Sequence, residues 1–108
     1  MIRVLIDTNI LLDVILHRDP WRIEAQAIWN AVRDGRLLGL ITATTVTDVH
    51  YLVRRAVHGD AAIEAIRECV DLFTVVAIGD TQLRMALALP GSDFEDNVQI
   101  AAAMSALC

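Results

Sequence analysis

Three short apolar runs, Ile2–Ile6, Leu37–Ile41 and Phe73–Ile78, are separated by stretches whose apolar residues recur at helical spacing. Runs of this kind, rich in branched side chains, read as strands buried on both faces of a parallel sheet. The stretches between them supply the crossovers. Asn9–Leu16 is a short helix interrupted by Asp13 and closed at Arg18-Asp19-Pro20. Trp21–Arg33 repeats apolar residues at Ile23, Ala27, Ala31 and at Ile28, Val32, with Gly35 placed for a C-terminal cap. Thr42, Thr44 and Thr45 offer capping oxygens to a helix striped with Val46, Val49, Leu52, Val53, Ala56 and Val57 and stopped by Gly59. Asp60–Val70 is a further helix, and Gly79-Asp80 opens another that runs to Leu89 before Pro90-Gly91. Ser92 followed by Glu95 forms a capping box for a last helix over Val98–Leu107. Strand and helices alternate three times. The expectation is one three-layer α/β/α domain over residues 1–108, its short central parallel sheet joined by right-handed crossovers and flanked by helices.

Composition narrows the function classes. With 56% hydrophobic and 21% charged residues, disorder is excluded, and neither a repeat nor a low-complexity tract is present. No apolar stretch approaches the roughly 18 residues of a membrane span, and Met1-Ile2-Arg3 leads straight into a strand, so a soluble, cytoplasmic protein is expected. Cys69 and Cys108 lack metal or redox spacing and are expected to be reduced and idle. A net charge of −5 argues against a general nucleic-acid-coating protein. All nine basic residues are Arg, and Arg54-Arg55 follow Asp48 on one helix, where planar guanidinium groups suit phosphate oxygens as well as ordinary solvation. The five glycines are too scattered for a nucleotide fingerprint, and His17, His50 and His58 lack a nucleophile setting. Trp21 and Trp29, eight residues apart on one helix, read as core or partner-interface residues.

The acids carry the chemistry. Asp7 follows the first apolar run directly, and Asp48 falls early in the helix after the second, beside its apolar stripe. A parallel sheet starts each following helix at the strand's carboxyl edge, so Asp7 and Asp48 converge there. Asp96, preceding a wholly apolar helix, is a third candidate, with Asp93 one turn behind it. Taken singly, each has an ordinary reading: a turn and cap at Asp7-Thr8-Asn9, a first-turn acid complementing a helix dipole at Asp48, capping or solvated acids at Asp93 and Glu95. Together they pose an electrostatic problem. Carboxylates about 5 Å apart repel by roughly 3 kcal/mol per pair at an effective dielectric near 20, which a divalent cation relieves. Sites built from acids without thiol or imidazole suit Mg²⁺ or Mn²⁺, which acidify water and hold a phosphodiester oxygen during in-line attack.

Val4-Leu5-Ile6-Asp7-Thr8-Asn9-Ile10-Leu11-Leu12-Asp13, Thr45-Val46-Thr47-Asp48-Val49-His50-Tyr51-Leu52 and Asp93-Phe94-Glu95-Asp96-Asn97-Val98-Gln99 together resemble the PIN domain, the fold of many prokaryotic toxin ribonucleases of the VapC type. The resemblance covers essentially the whole chain. It implies a Mg²⁺- or Mn²⁺-dependent endoribonuclease acting on single-stranded or looped RNA, with Asp7, Asp48 and Asp96 as catalytic, metal-binding acids. Asp93 would be an accessory ligand and Asn9 would help orient the first acid; Thr8 and, from its guanidinium chemistry, Arg54 join Asn9 as candidate substrate or orienting residues. It also implies a homodimer and a protein antitoxin. Family members normally continue beyond the last helix into a strand with a Thr/Ser-Arg-Asn-like turn and often a fourth acid; by that standard the chain is C-terminally truncated and Ile2–Ile6 becomes a bare sheet edge. The alternative is a catalytically silent module of the same fold that oligomerises or binds a protein. A receiver-type phosphoacceptor domain also places Asp at strand ends, but the chain has no Lys to contact a phosphoryl group.

Overall fold

Only one of the three apolar runs has neighbours on both sides. In the computed structural model, which describes residues 1–107 and leaves Cys108 outside them, β2 (Leu37–Thr42) is the central strand. It pairs in parallel with β1 (Ile2–Leu5) from Ile2↔Leu37 to Leu5↔Leu40, and with β3 (Thr74–Val76) from Leu40↔Thr74 to Thr42↔Val76. Gly39 to Thr42 are buried throughout. The expected double burial fails for the other two runs. β1 is an edge strand with Ile2 68% exposed, and β3 is only three residues long with Thr74 and Val75 at the surface. Among the described residues nothing pairs with the free side of either strand, so their flanking residues Ile6 and Phe73 are the buried ones, with Val4 of β1 partly buried against the core.

The remaining elements follow the expected alternation. Between β1 and β2 lie α1 (Thr8–Ile15) and α2 (Arg22–Arg33); between β2 and β3 lie α3 (Ala43–Ala56) and α4 (Ala61–Leu72); α5 (Asp80–Ala88) and α6 (Phe94–Leu107) come last. The result is a three-layer α/β/α fold. Helix ends obey local chemistry. α2 closes in a Schellman motif at Gly35 (φ 77°), with Arg36 N–H donating to Ala31 O and Gly35 N–H to Val32 O. α1 ends the same way at His17 (φ 52°), where Arg18 N–H donates to Asp13 O and His17 N–H to Val14 O. A non-glycine residue holds that left-handed position, and the turn carries Arg18 back over the helix it has just left.

The main core joins Ile6, Leu11, Leu12, Trp29, Val32, Ile41, Val49, Val53, Cys69 and Phe73. Trp29 meets Phe73 edge to face, centroids 5.2 Å apart and planes at 80°, a geometry worth about 0.5–1.5 kcal/mol beyond burial. Gly39 makes room for it. A Cβ there would stand 2.7 Å from Phe73 Cδ1 and 2.9 Å from Val32 Cγ2, so the aromatic ring rests directly on the central strand's backbone. The two tryptophans therefore part company: Trp29 is core, while Trp21, at the N-cap of α2, is exposed. A smaller second core of Ala86, Val98 and Ala101, with Ile78 and Met85, binds α5 to α6. No helix among the described residues is long and apolar enough to cross a membrane.

Candidate active site

Parallel strands start their following helices on one edge, and here α1, α3 and α6 all point their N-termini into one cleft of about 680 Å³. α1 contributes Asp7, Thr8 and Asn9; α3 contributes Thr44, Thr47, Asp48 and Tyr51; α6 contributes Phe94, Glu95, Asp96 and Gln99. Asp7 is the N-cap of α1. Its backbone is extended (φ −71°, ψ 147°), and its Oδ2 accepts the Asn9 N–H at 3.0 Å, leaving the other carboxylate oxygen uncommitted. Thr42 caps α3 in the same conformation, accepting the Thr45 N–H at 3.1 Å. Each helix end supplies about 0.3–1 kcal/mol toward a nearby negative charge, so three of them together make the cleft tolerant of acids.

Four acids occupy it: Asp7, Asp48, Glu95 and Asp96. None of the four takes part in an ion pair among the described residues, whereas Asp13, Asp19, Asp34, Glu64 and Asp80 all have arginine partners. Negative charge is thus gathered here and left without protein cations. The three acids singled out in the sequence share the cleft, and Glu95 joins them in place of its expected capping role. That role belongs to Asp93. Its Oδ1 accepts the Asp96 N–H at 3.1 Å, so α6 starts at Phe94 rather than Val98 and its cap falls one residue after the Ser92 of the expected Ser92–Glu95 box. Asp93 does not line the cleft, and neither does Arg54. Asp93→Ala should therefore cost about 1 kcal/mol in a denaturant melt. Its Mn²⁺ affinity should stay within twofold of the parent, measured by calorimetric titration; a large loss would restore Asp93 as a ligand.

Behind the first acid stands a support the sequence reading passed over. Arg18 Nε donates to Asp13 Oδ1 at 2.8 Å, and its terminal nitrogen reaches both Asn9 Oδ1 and the Asn9 carbonyl at 3.3 Å. Asp13, 8% exposed, looked like a break in an apolar helix; it is the anchor that aims Arg18 at Asn9. The available signal was a lone acid in an apolar stripe followed five residues later by an arginine across a helix stop. On the rim, Arg55 lies over the Tyr51 ring, 5.6 Å from its centroid, and donates to the Tyr51 hydroxyl at 3.2 Å. Tyr51 and Phe94 are exposed rings on opposite helices of the cleft, whereas Trp29 and Phe73 are core.

The donor set is all oxygen, which fits a hard divalent cation and no thiophilic one. Among the described residues, no three acids, histidines or cysteines stand close enough to hold one ion jointly. Such spacing suits an ion that keeps much of its water and takes one or two carboxylates. Cys69 plays no part: it lies in the main core, and burial, with the charge of Glu68 adding, pushes its thiol up to about 11.

Residues 3–108 match the family model described as PIN domain. A solved structure, that of VapBC2 from Rickettsia felis bound to a DNA fragment from their promoter, contains a chain with the same fold at a TM-score of 0.59. Identity is 16%, and the alignment covers 97% of this chain and 82% of that one. No curated protein matches the sequence.

Proposed function

The chain belongs to the PIN domain family, and from that premise we propose that it is a Mg²⁺- or Mn²⁺-dependent endoribonuclease, the toxin of a toxin–antitoxin pair. One observation carries the proposal: Asp7, Asp48, Glu95 and Asp96 line a single cleft without a cationic side chain paired to any of them among the described residues. Asp7, Asp48 and Asp96 are the candidate ligands, one or two of which would bind the ion directly while the remainder act through its water. When bound, it supplies positive charge to the phosphate and acidifies a water molecule for phosphodiester hydrolysis.

The chain's own groups do the rest. Asn9 N–H fixes one oxygen of Asp7 so that the other faces the cleft, and Asp13 through Arg18 fixes the Asn9 side chain. Tyr51 and Phe94 offer stacking faces for unpaired bases, which favours single-stranded or looped RNA over a duplex whose bases are already stacked. Arg55 braces Tyr51 and places a positive charge near the path of the backbone. Other copies of the chain and a protein antitoxin are the proposed partners. Support for the antitoxin is the VapBC2 assembly of the structural neighbour; support for self-association is the free edge of β1.

The test is cleavage of one RNA sequence as a single strand and as a duplex, with Mn²⁺, with EDTA and with Mn²⁺ restored. The expected result is cleavage of the single strand, abolished by EDTA and recovered on restoration. Cleavage that ignores EDTA, or none under any condition, overturns the proposal. The spacing of the acids favours a second reading, a silent module that acts through protein binding alone. That reading requires a calorimetric titration to show no saturable Mn²⁺ uptake.

A further inference from the structure

α6 carries Asp96, yet it packs chiefly on α5 through a small core of their own and touches the sheet only lightly. Something else must set the distance between Asp96 and the acids of α1 and α3. One polar chain spans the gap, buried at Thr42 and Thr45 and half-buried at its ends, Gln99 and Thr8. Gln99 Nε2 donates to Thr42 Oγ1 at 3.0 Å, joining residues 57 apart in sequence. Thr42 is fully buried; its hydroxyl also accepts the Thr45 N–H at 3.1 Å and donates to Thr45 Oγ1 at 3.0 Å, which in turn lies 3.0 Å from Thr8 Oγ1. Four side chains thus link α6, β2, α3 and α1 in series.

Each link stands beside a cleft acid. Thr8 follows Asp7, Thr45 precedes Asp48 by one helical turn, and Gln99 follows Asp96 by one turn. The other long-range side-chain tie of α6 to the sheet, Arg3 of β1 to the Ala106 carbonyl, is exposed and 3.4 Å long at the far end of the helix. The Thr42 hydroxyl has room for one donated and two accepted bonds, and Gln99 shares them with the Thr45 N–H, Thr45 Oγ1 and Thr44 Oγ1, the last at 2.9 Å. An apolar side chain of the same length at position 99 would fill the space and give no bond.

We infer that Gln99, through its hydrogen bond to Thr42, is the positioning residue that sets where α6 presents Asp96 to Asp7 and Asp48. The inference rests on reading the cleft as a divalent-ion nuclease site. Its test uses the full chain with Gln99→Met, which keeps length and helix propensity and removes the amide, and with it the donor to Thr42. Two measurements separate the inference from the reading beneath it. Amide hydrogen exchange without metal should show α5 and α6 exchanging roughly fivefold to tenfold faster, as loss of one hydrogen bond requires, while α1 to α4 hold the parent rates and so report an intact fold. Calorimetric titration should show Mn²⁺ affinity falling about tenfold or more, the usual effect of removing an outer support of a ligand. Unchanged exchange in α6 overturns the inference, and so does faster exchange with unchanged Mn²⁺ affinity. Absence of Mn²⁺ uptake by the parent chain overturns the nuclease reading instead, and the exchange rates then still decide whether Gln99 holds α6 in place.

Discussion

Asp7→Asn should lower Mn²⁺-dependent cleavage of single-stranded RNA by about 100-fold or more in kcat/KM while leaving the melting temperature nearly unchanged. The two halves of that expectation come from two different jobs of one side chain. As the N-cap of α1, Asp7 uses Oδ2 to accept the Asn9 N–H at 3.0 Å, and an asparagine carbonyl oxygen accepts the same bond with comparable strength. As the proposed ion ligand it would use its charge and its second oxygen, and the amide has neither the charge nor that oxygen. Losing one electrostatic contributor at a reacting centre costs roughly 3–4 kcal/mol, which is two to three orders of magnitude in rate. A variant that keeps a third of the parent activity, with both proteins equally pure, would remove Asp7 from the site. A variant that loses activity only by unfolding would show it in the melt.

The competing account of the cleft is purely structural. Acids near helix N-termini need no ion, since each helix end already favours them by about 0.3–1 kcal/mol. That account explains Asp7, Glu95 and Asp96 individually, as cap and first-turn residues. It does not explain Asp48, which sits in the second turn of α3 yet faces the same cleft. Lack of an arginine partner does not by itself set these four apart, since Glu24, Asp60, Glu68, Asp71 and Asp93 have none among the described residues either; what sets them apart is that all four line one cleft.

Much of this was legible because the signals were local. Gly35 terminates α2, and Thr42 caps α3, for reasons contained within five residues of sequence. Asp7 and Asp48 converge because parallel topology forces both helices to start on one edge. What the sequence hid depends on distant partners. Ile2–Ile6 has the composition of a central strand, and only the strand order makes it an edge. Ser92 and Asp93 compete for one N-cap from adjacent positions, a contest decided by backbone geometry rather than residue type. Asp13 acquires meaning only when the left-handed turn at His17 brings Arg18 back. Gln99 and Thr42 meet across 57 residues, and nothing in either neighbourhood announces the other.

Thr42→Val is the sharpest probe of that hidden layer, because valine matches threonine in shape and lacks only the hydroxyl. Thr42 is fully buried, so the volume change is negligible and cavity terms drop out. What is lost is the cap of α3, worth about 0.5–2 kcal/mol. The Thr45 N–H also loses its acceptor in the interior, at about 1–3 kcal/mol for a stranded buried donor, while the half-buried Gln99 amide loses its partner beside the cleft. The two terms overlap at the Thr45 N–H, so the expected total is about 3 kcal/mol rather than their upper sum. For a domain of this length that lowers the melting temperature by roughly 10–20 °C. Thr42→Ser keeps the hydroxyl and loses one methyl, so its cost should be about 1 kcal/mol. Were valine and serine to destabilise equally, the buried hydroxyl would be an accident of packing, and the polar chain from α6 to α1 would not be what holds the three acidic helices at their spacing.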